Sequence, residues 1–344
     1  MIRILSPLLR RRPVAALLFG VLAVGACADP SGGAERRSAS HPVPLTREAP
    51  EPDRIGAFQF RGAVELSGNP ALGGLSGLAI TDGGRQFVAV SDVGRVVLGR
   101  LRHENGRLVG VADLRAKDLP GIGPRRGRAR ENDSEEIVAL PDGGWLIAFE
   151  GRHRILRYPP GFSGEPTALP LAEGIGDLPL NGGMEALTRL PDGRLLALGE
   201  GTDNGMPERP AWISRVPLTG PGDWGALTYR AAPGFRPTGA AALPNGDVLV
   251  LERYFSVLGG LAARIARVPG AALVPGAVVE GEELARIQPP LLLDNYEGIA
   301  AVPGPAGETL VYVVSDDNFN TTLQRTYLLM LALPDRPLAQ APGR

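Results

Sequence analysis

The sequence predicts an all-β fold, a β-propeller with five visible blades. Three observations carry this. The 344-residue chain holds 47 Gly and 33 Pro and has no long helical spacing of Leu, Ala and charge, the profile of many short strands joined by tight turns. Its apolar runs come in pairs around turns of the Leu-Pro-Asp-Gly type. Those turns recur about every fifty residues, the spacing of propeller blades, each a small sheet packed radially around a channel. Single all-β domains can exceed 200 residues, so the length does not demand two.

The first element reads as an export signal over residues 1–26. "MIRILSPLLRRRP" is the basic head and "VAALLFGVLAVGA" an apolar run too short for a comfortable membrane span. It ends at "VGAC", and Cys27 is the only cysteine. A small pair before a lone Cys is expected to be lipidated, which places the protein in the periplasm or outer cell envelope on a membrane anchor. Residues 27–53, rich in Pro, Ser and Gly, read as a flexible tether. The propeller domain is expected over 54–335, with a short tail over 336–344. One cysteine excludes an internal disulfide.

Cleavage after residue 26 removes four Arg and no acid, taking the net charge from −1 to −5. Such a surface argues against nucleic acid as a partner. Lys117 is the single lysine among 36 basic side chains, so the abundance of Arg reflects coding bias before phosphate recognition. The oligomeric expectation is a monomer.

The repeat is read in order. "SGLAITDGGRQFVAVSD" starts at Ser76, "EEIVALPDGGWLIAFEG" at Glu135 and "EALTRLPDGRLLALGEG" at Glu185. "TGAAALPNGDVLVLER" starts at Thr238 and "EGIAAVPGPAGETLVYVVSDD" at Glu297. The starts lie 59, 50, 53 and 59 residues apart. Asp-Gly and Asn-Gly tolerate the positive φ of a hairpin, and the preceding Pro lengthens the loop slightly. Third strands are expected from Val96, Arg154, Ala211, Ala263 and Thr326. The fifth copy lacks a fourth strand, and "GAFQFRGAVEL" (residues 56–66) is a strand without a blade, so it is expected to close the ring. A sixth, degenerate blade is the alternative.

Equivalent positions in a propeller stand on a ring. The entrances of the inner strands read Ser76, Glu135, Glu185, Thr238 and Glu297, and the exits of the second strands read Asp92, Glu150, Glu200, Glu252 and Asp316. Antiparallel neighbours bring both sets to one mouth. So many carboxylates need a cation, protonation or Arg partners. Ca²⁺ or another divalent cation suits carboxylate oxygens, whereas three His, at 41, 103 and 153, are too few for a His-built metal site.

"FEGRHRI", "LERYFS", "DNYEGIA", "SDDNF" and "QRTYLL" resemble the bacterial phytase-like family, the esterase-like activity of phytase domain, over about residues 58–333. The resemblance implies phosphoesterase or phosphodiesterase-like activity on a small-molecule substrate, which the export signal would place outside the cytoplasm. It carries repeated acids onto Glu135, Glu150, Glu185, Glu252, Glu297 and Asp316, a pattern that Ser76 and Thr238 break. On this reading Glu135, Glu150, Glu185, Glu297 and His153 are the candidate catalytic residues. Arg152, Arg253 and Arg325 would hold substrate oxygens, and Asp92, Glu252, Asp316 and Asp317 a metal. The basic loop with Arg125, Arg126, Arg128 and Arg130 leads to Glu135 and offers further anion contacts, and Asp203 and Asn204 offer further oxygens. No G-x-S-x-G elbow and no phosphate-binding loop of the G-x-x-x-x-G-K type occur. The alternative function is a binding module at the envelope that performs no chemistry.

Overall fold

The computed structural model describes residues 39–122, 132–201, 206–257 and 259–334. The leader, Cys27, the first part of the tether, the basic loop Arg125–Arg130, Asp203, Asn204 and the tail lie outside them.

The chain opens with β1 (Ala39–Val43), β2 (Arg54–Ile55) and β3 (Phe58–Ser67). Blade I follows with β4 (Leu75–Thr81), β5 (Gln86–Ser91), β6 (Arg95–Glu104) and β7 (Arg107–Asp118). Blade II is β8 (Ser134–Ala139), β9 (Trp145–Phe149), β10 (Arg154–Tyr158) and β11 (Thr167–Ala168). Blade III is β12 (Met184–Arg189), β13 (Leu195–Gly199), β14 (Glu208–Ser214) and β15 (Trp224–Arg230). Blade IV comprises β16 (Phe235–Ala242), β17 (Val248–Ser256), β18 (Gly260–Val268) and β20 (Glu282–Ile287), with β19 (Val278–Glu280) lying between β18 and β20 in the chain. Blade V comprises β21 (Asn295–Pro303), β22 (Thr309–Asp316) and β23 (Thr326–Leu333), and β3 completes it as the expected closing strand.

The inner strands β4, β8, β12, β16 and β21 contact one another in a closed cycle. Five hydrophobic clusters fill the five seams between blades. Each blade is therefore buried on both faces. That is why the second strands "FVAV", "WLIAF", "LLALG" and "LVYVV" are unbroken apolar runs rather than alternating ones.

The turns follow one recipe. In blade II Leu140 N–H donates to Gly144 O at 2.9 Å and Gly143 N–H to Leu140 O at 3.0 Å. The same pair recurs at Leu190/Arg194, Leu243/Asp247 and Gly304/Glu308. The turn glycines Gly143, Gly193, Gly246 and Gly307 have φ between 82° and 95°, the left-handed conformation that closes a hairpin with a bulge.

Two features depart from the sequence reading. The expected tether is partly packed onto the propeller: β1 pairs antiparallel with β3, Leu45 is fully buried, and Thr46 bridges to Leu291. The run "ASHPV" carries little apolar signal because it covers a sheet edge with backbone hydrogen bonds rather than filling a core. The second departure is β19, which leaves its own blade to pair parallel with β15 of blade III.

Candidate functional site

Every inner strand carries a bulge at the same place. Pairing skips from Leu75 to Leu78, Ser134 to Glu136, Met184 to Ala186, Pro237 to Gly239 and Tyr296 to Gly298. The unpaired residues are Ser76, Glu135, Glu185, Thr238 and Glu297, the ring expected from the repeat (Gly77 is also skipped in blade I). A bulge bends its strand and re-aims a side chain. Its repetition turns three Glu residues onto the mouth of the channel.

The next level down is made of Gly77, Glu136, Ala186, Gly239 and Gly298. Small residues are needed because the inner strands nearly touch. A Cβ on Gly77 would stand 2.6 Å from Glu136 Cα, and one on Gly298 would run into Ser76 O. Only Glu136 brings a long side chain to this level, and it is 1% exposed. The backbone N–H groups of Ile137, Ala240 and Leu78 face its carboxyl, and burial holds it well above the usual carboxylate range. Its Oε2 is buried with no hydrogen-bond partner. Sequence reasoning misses Glu136, because an acid beside a ring acid looks like its solvated neighbour.

At the exits, Glu150 N–H donates to Asp133 O at 2.8 Å and Glu200 N–H to Gly183 O at 3.0 Å. Asp92 N–H donates to Gly74 O at 2.9 Å, and Asp316 pairs with Asn295. The equivalent pair in blade IV is Arg253 with Arg236. Glu252 thus sits one residue off the ring, and a one-residue step in a strand points to the opposite face. Its side chain is wholly buried between blades III and IV. There it accepts from the Tyr229 hydroxyl and pairs with Arg264 Nη1 at 3.1 Å. Glu252 is removed from the expected metal set, and Arg253 holds its ring position.

Asp317 is committed to the architecture. Its Oδ1 accepts from Gly74 N–H at 3.1 Å and Phe319 N–H at 3.0 Å, tying blade V to blade I. Arg325 is turned away from the mouth, with Nε 3.6 Å from Glu65 and its guanidinium donating to the carbonyls of Thr321 and Gln324. Arg152 is exposed. His153 Nε2 bonds Leu178 O at 3.0 Å, which fixes the ring, while its Nδ1 is buried.

Among the described residues, one group of acids gathers. Asp133, Glu135 and Glu150 each offer a carboxylate oxygen within 4.8 Å of the other two. Glu150 Oε1 is held by Gly182 N–H at 2.6 Å and Gly183 N–H at 3.1 Å. Burial first, and then Glu185, Asp133, Glu150 and Glu297, push the Glu135 carboxyl well up. Burial first, then Glu200, Glu150 and Glu297, do the same to Glu185, with Arg253 opposing. Glu297 is raised to about 7 by burial against the pull of Arg253. Asp316 is raised to about 8 by burial and by Glu297, Asp92 and Asp317. Two ligands on one Ca²⁺ stand at most about 5 Å apart. The Asp133–Glu135–Glu150 group therefore fits a divalent cation, and the mutual repulsion is what a cation would relieve. Asp133 is absent from the residues that the sequence singles out. It lies two residues before the ring, where the other copies have Gly74, Gly183, Arg236 and Asn295, so the repeat shows no pattern there.

Fold and site define a five-bladed propeller with an acidic mouth. The chain belongs to the phytase-like family described by the esterase-like activity of phytase, which matches residues 70–319. No curated protein matches the sequence. Among solved structures it is similar to the PQQ-bound aldose sugar dehydrogenase of Streptomyces coelicolor, at 14% identity over 76% of this chain and 94% of that one, TM-score 0.41. Virginiamycin B lyase from Staphylococcus aureus is similar at 12% identity over 87% and 100%, TM-score 0.41. A protein of unknown function from Dyadobacter fermentans is similar at 12% identity over 87% and 96%, TM-score 0.41. The blade count rests on the sheets themselves.

Proposed function

We propose that the protein is an envelope hydrolase of phosphate esters, assisted by a divalent cation and anchored through lipidated Cys27. The observation that carries the reading is the Asp133–Glu135–Glu150 group. Three carboxylates are drawn to one point, and Glu135 is pushed up in pKa by burial and by its acidic neighbours. A bound cation supplies Lewis acidity and a more acidic water.

The chain's own residues supply the rest. Gly182 and Gly183 hold Glu150 by its Oε1, which fixes the carboxylate against the group. Arg253, strengthened as a cation chiefly by Glu297, holds phosphoryl oxygens. Glu297, at about 7, passes between acid and base at neutral pH, the range in which proton transfer to a leaving oxygen is efficient. His153, anchored on Leu178, positions the loop behind Glu150 rather than meeting substrate.

The test is turnover of phosphomonoesters and phosphodiesters over a panel of divalent cations. Glu135→Gln is expected to lower kcat roughly 100-fold. No turnover with any cation, or full activity in Glu135→Gln, would overturn the reading. The binding-module alternative is favoured by the ion pairs Glu200–Arg236 at 2.9 Å and Glu297–Arg253 at 3.5 Å, which neutralise part of the mouth without a metal. Lipidation is tested by radiolabelled palmitate, which is expected to label the wild type and not Cys27→Ser.

A further inference from the structure

Large apolar side chains left in water gather at one end of the propeller. Among the described residues, Leu180, Met206, Phe255, Val257, Phe319 and Leu323 are exposed on four loops of the mouth face. The other exposed ones follow the far ends of β14 and β18.

Two of the loops are built to hold their tips out. In blades I and II the second and third strands stop pairing at the ring, at Ser91 with Arg95 and Phe149 with Arg154. In blade IV the β17–β18 ladder runs past Arg253 to Ser256 opposite Gly260, about 10 Å further at the strand rise. Phe255, 68% exposed, and Val257, 91% exposed, stand at its end. Ser256 Oγ accepts from the Tyr254 hydroxyl at 2.9 Å and from Gly259 N–H at 2.7 Å, which fixes the turn. In blade V the loop carrying Phe319 and Leu323 is pinned by Phe319 N–H on Asp317 Oδ1 and by Leu323 N–H on Asn320 O at 3.0 Å. Leu323 is 79% exposed. Side chains fixed in water in this way do not fold back to bury themselves.

The same face receives the chain. Ala39, the first residue of β1, pairs with Ser67, and Leu66 pairs with Thr326, where β23 leaves the mouth. The polypeptide therefore joins the propeller at the mouth end of blade V, next to the blade IV hairpin. Twelve residues separate Cys27 from Ala39, at most about 40 Å of chain.

We propose that this apolar rim rests on the lipid bilayer that anchors the chain, so that the mouth opens toward the membrane surface. Exposed apolar side chains gathered on one face mark a protein or membrane contact. Here they are separate tips on four loops. A fluid bilayer admits scattered tips to a depth of about 5–10 Å, whereas a protein partner needs a continuous complementary patch. The proposal rests on the anchor reading of residues 1–27 and not on phosphoester hydrolysis.

The test is depth quenching of the full-length protein in phosphatidylcholine vesicles with brominated acyl chains. A thiol-reactive, environment-sensitive dye is placed at Val257→Cys, Leu323→Cys or, on the far face, Val216→Cys, with thermal melting confirming each fold. Quenching at positions 257 and 323 is expected to exceed that at 216 roughly threefold, and Phe255→Ser with Val257→Ser should roughly halve it at 323. Equal quenching on both faces, none at the tips, or no change at 323 in the folded double variant would each overturn the proposal. Lipidation consumes the Cys27 thiol, so a wild type that takes the dye sinks the anchor reading by itself. The tips are then judged in the Cys27→Ser background on the same vesicles, where quenching at 257 upholds the surface and its absence overturns it.

Discussion

Two glutamates of similar appearance in the sequence have opposite meanings in the fold. Glu135 stands in a bulge among other acids, and its charged form is opposed by burial and by Glu185, Asp133 and Glu150. Glu252 is wholly buried but held by Tyr229 and Arg264, and Arg264 in turn donates to Gly281 O at 3.0 Å. Removing one partner of a buried ion pair strands the other charge and costs about 3–5 kcal/mol. Glu252→Ala is therefore expected to lose that much in urea unfolding. Glu135→Gln removes repulsion and is expected to hold or gain stability without cations while losing turnover. An equal loss of stability in both would sink the distinction. The true place of Glu252 is legible in the chain: aligning "LVLER" on "LALGE" residue by residue puts Arg253, not Glu252, opposite Glu200. Asp133 is harder to see, because its partners on the ring come from a turn and a strand end that meet only when the blade forms.

At the scale of elements, glycines do two different jobs. Gly307 lies in the blade V turn with φ 88° and open space around its missing side chain. Gly307→Ala meets only backbone strain and is expected to cost about 1 kcal/mol. Gly298 has no such φ, yet a Cβ there would collide with the backbone of Ser76. Backbone cannot step aside in a closed ring of five inner strands, so Gly298→Ala is expected to cost about 3 kcal/mol. Thermal melting of the two variants ranks them, and the reverse order would refute the account of the channel. The hairpin glycines are legible from the Asp-Gly turns. The channel glycines are not, since their crowding comes from a neighbouring blade far off in the chain: Gly77 meets Glu136, and Gly298 meets Ser76 across the closure of the ring.

The propeller is a ring closed where β3, from before the first blade, pairs with β23 of the last. Phe58, Phe60 and Ala63 pack into the blade IV–V seam and Val64 and Leu66 into the V–I seam. Truncation to residue 68 is expected to abolish cooperative unfolding, whereas truncation to residue 44 removes β1 alone among the described strands and should lower the melting temperature by a few degrees. Polar stitches cross the seams at the mouth: Glu150 to Gly182, Glu200 to Arg236, Arg253 to Asn295 at 2.6 Å and Asp317 to Gly74. The mouth is thus a structural hub and a charge store, and it sets a pH dependence. Glu297 and Asp316 titrate near 7 and 8 in the fold against ordinary values of 4.5 and 3.8. Between pH 5 and 8 the folded chain keeps protons that the unfolded chain has lost, so stability falls as pH rises. Scanning calorimetry without cations is expected to show a melting temperature that drops across this window and recovers on adding Ca²⁺. A rise with pH would contradict it.

The blades can be read from the chain alone, because a propeller's contacts within each blade are local and its turns need Pro, Asp and Gly at fixed offsets. So can the closing strand, since "GAFQFRGAVEL" has apolar faces and no local partner, and so can the acidic ring, since a repeat places equivalent residues at equivalent radii. Which acids meet is settled only by packing in three dimensions. Radial assembly sets Asp133 against Glu150 and Arg236 against Arg253, encloses Glu136 on the channel axis, and turns Glu252 into a seam. Those outcomes depend on side-chain direction and on neighbours in other blades, and a spacing along the chain records neither.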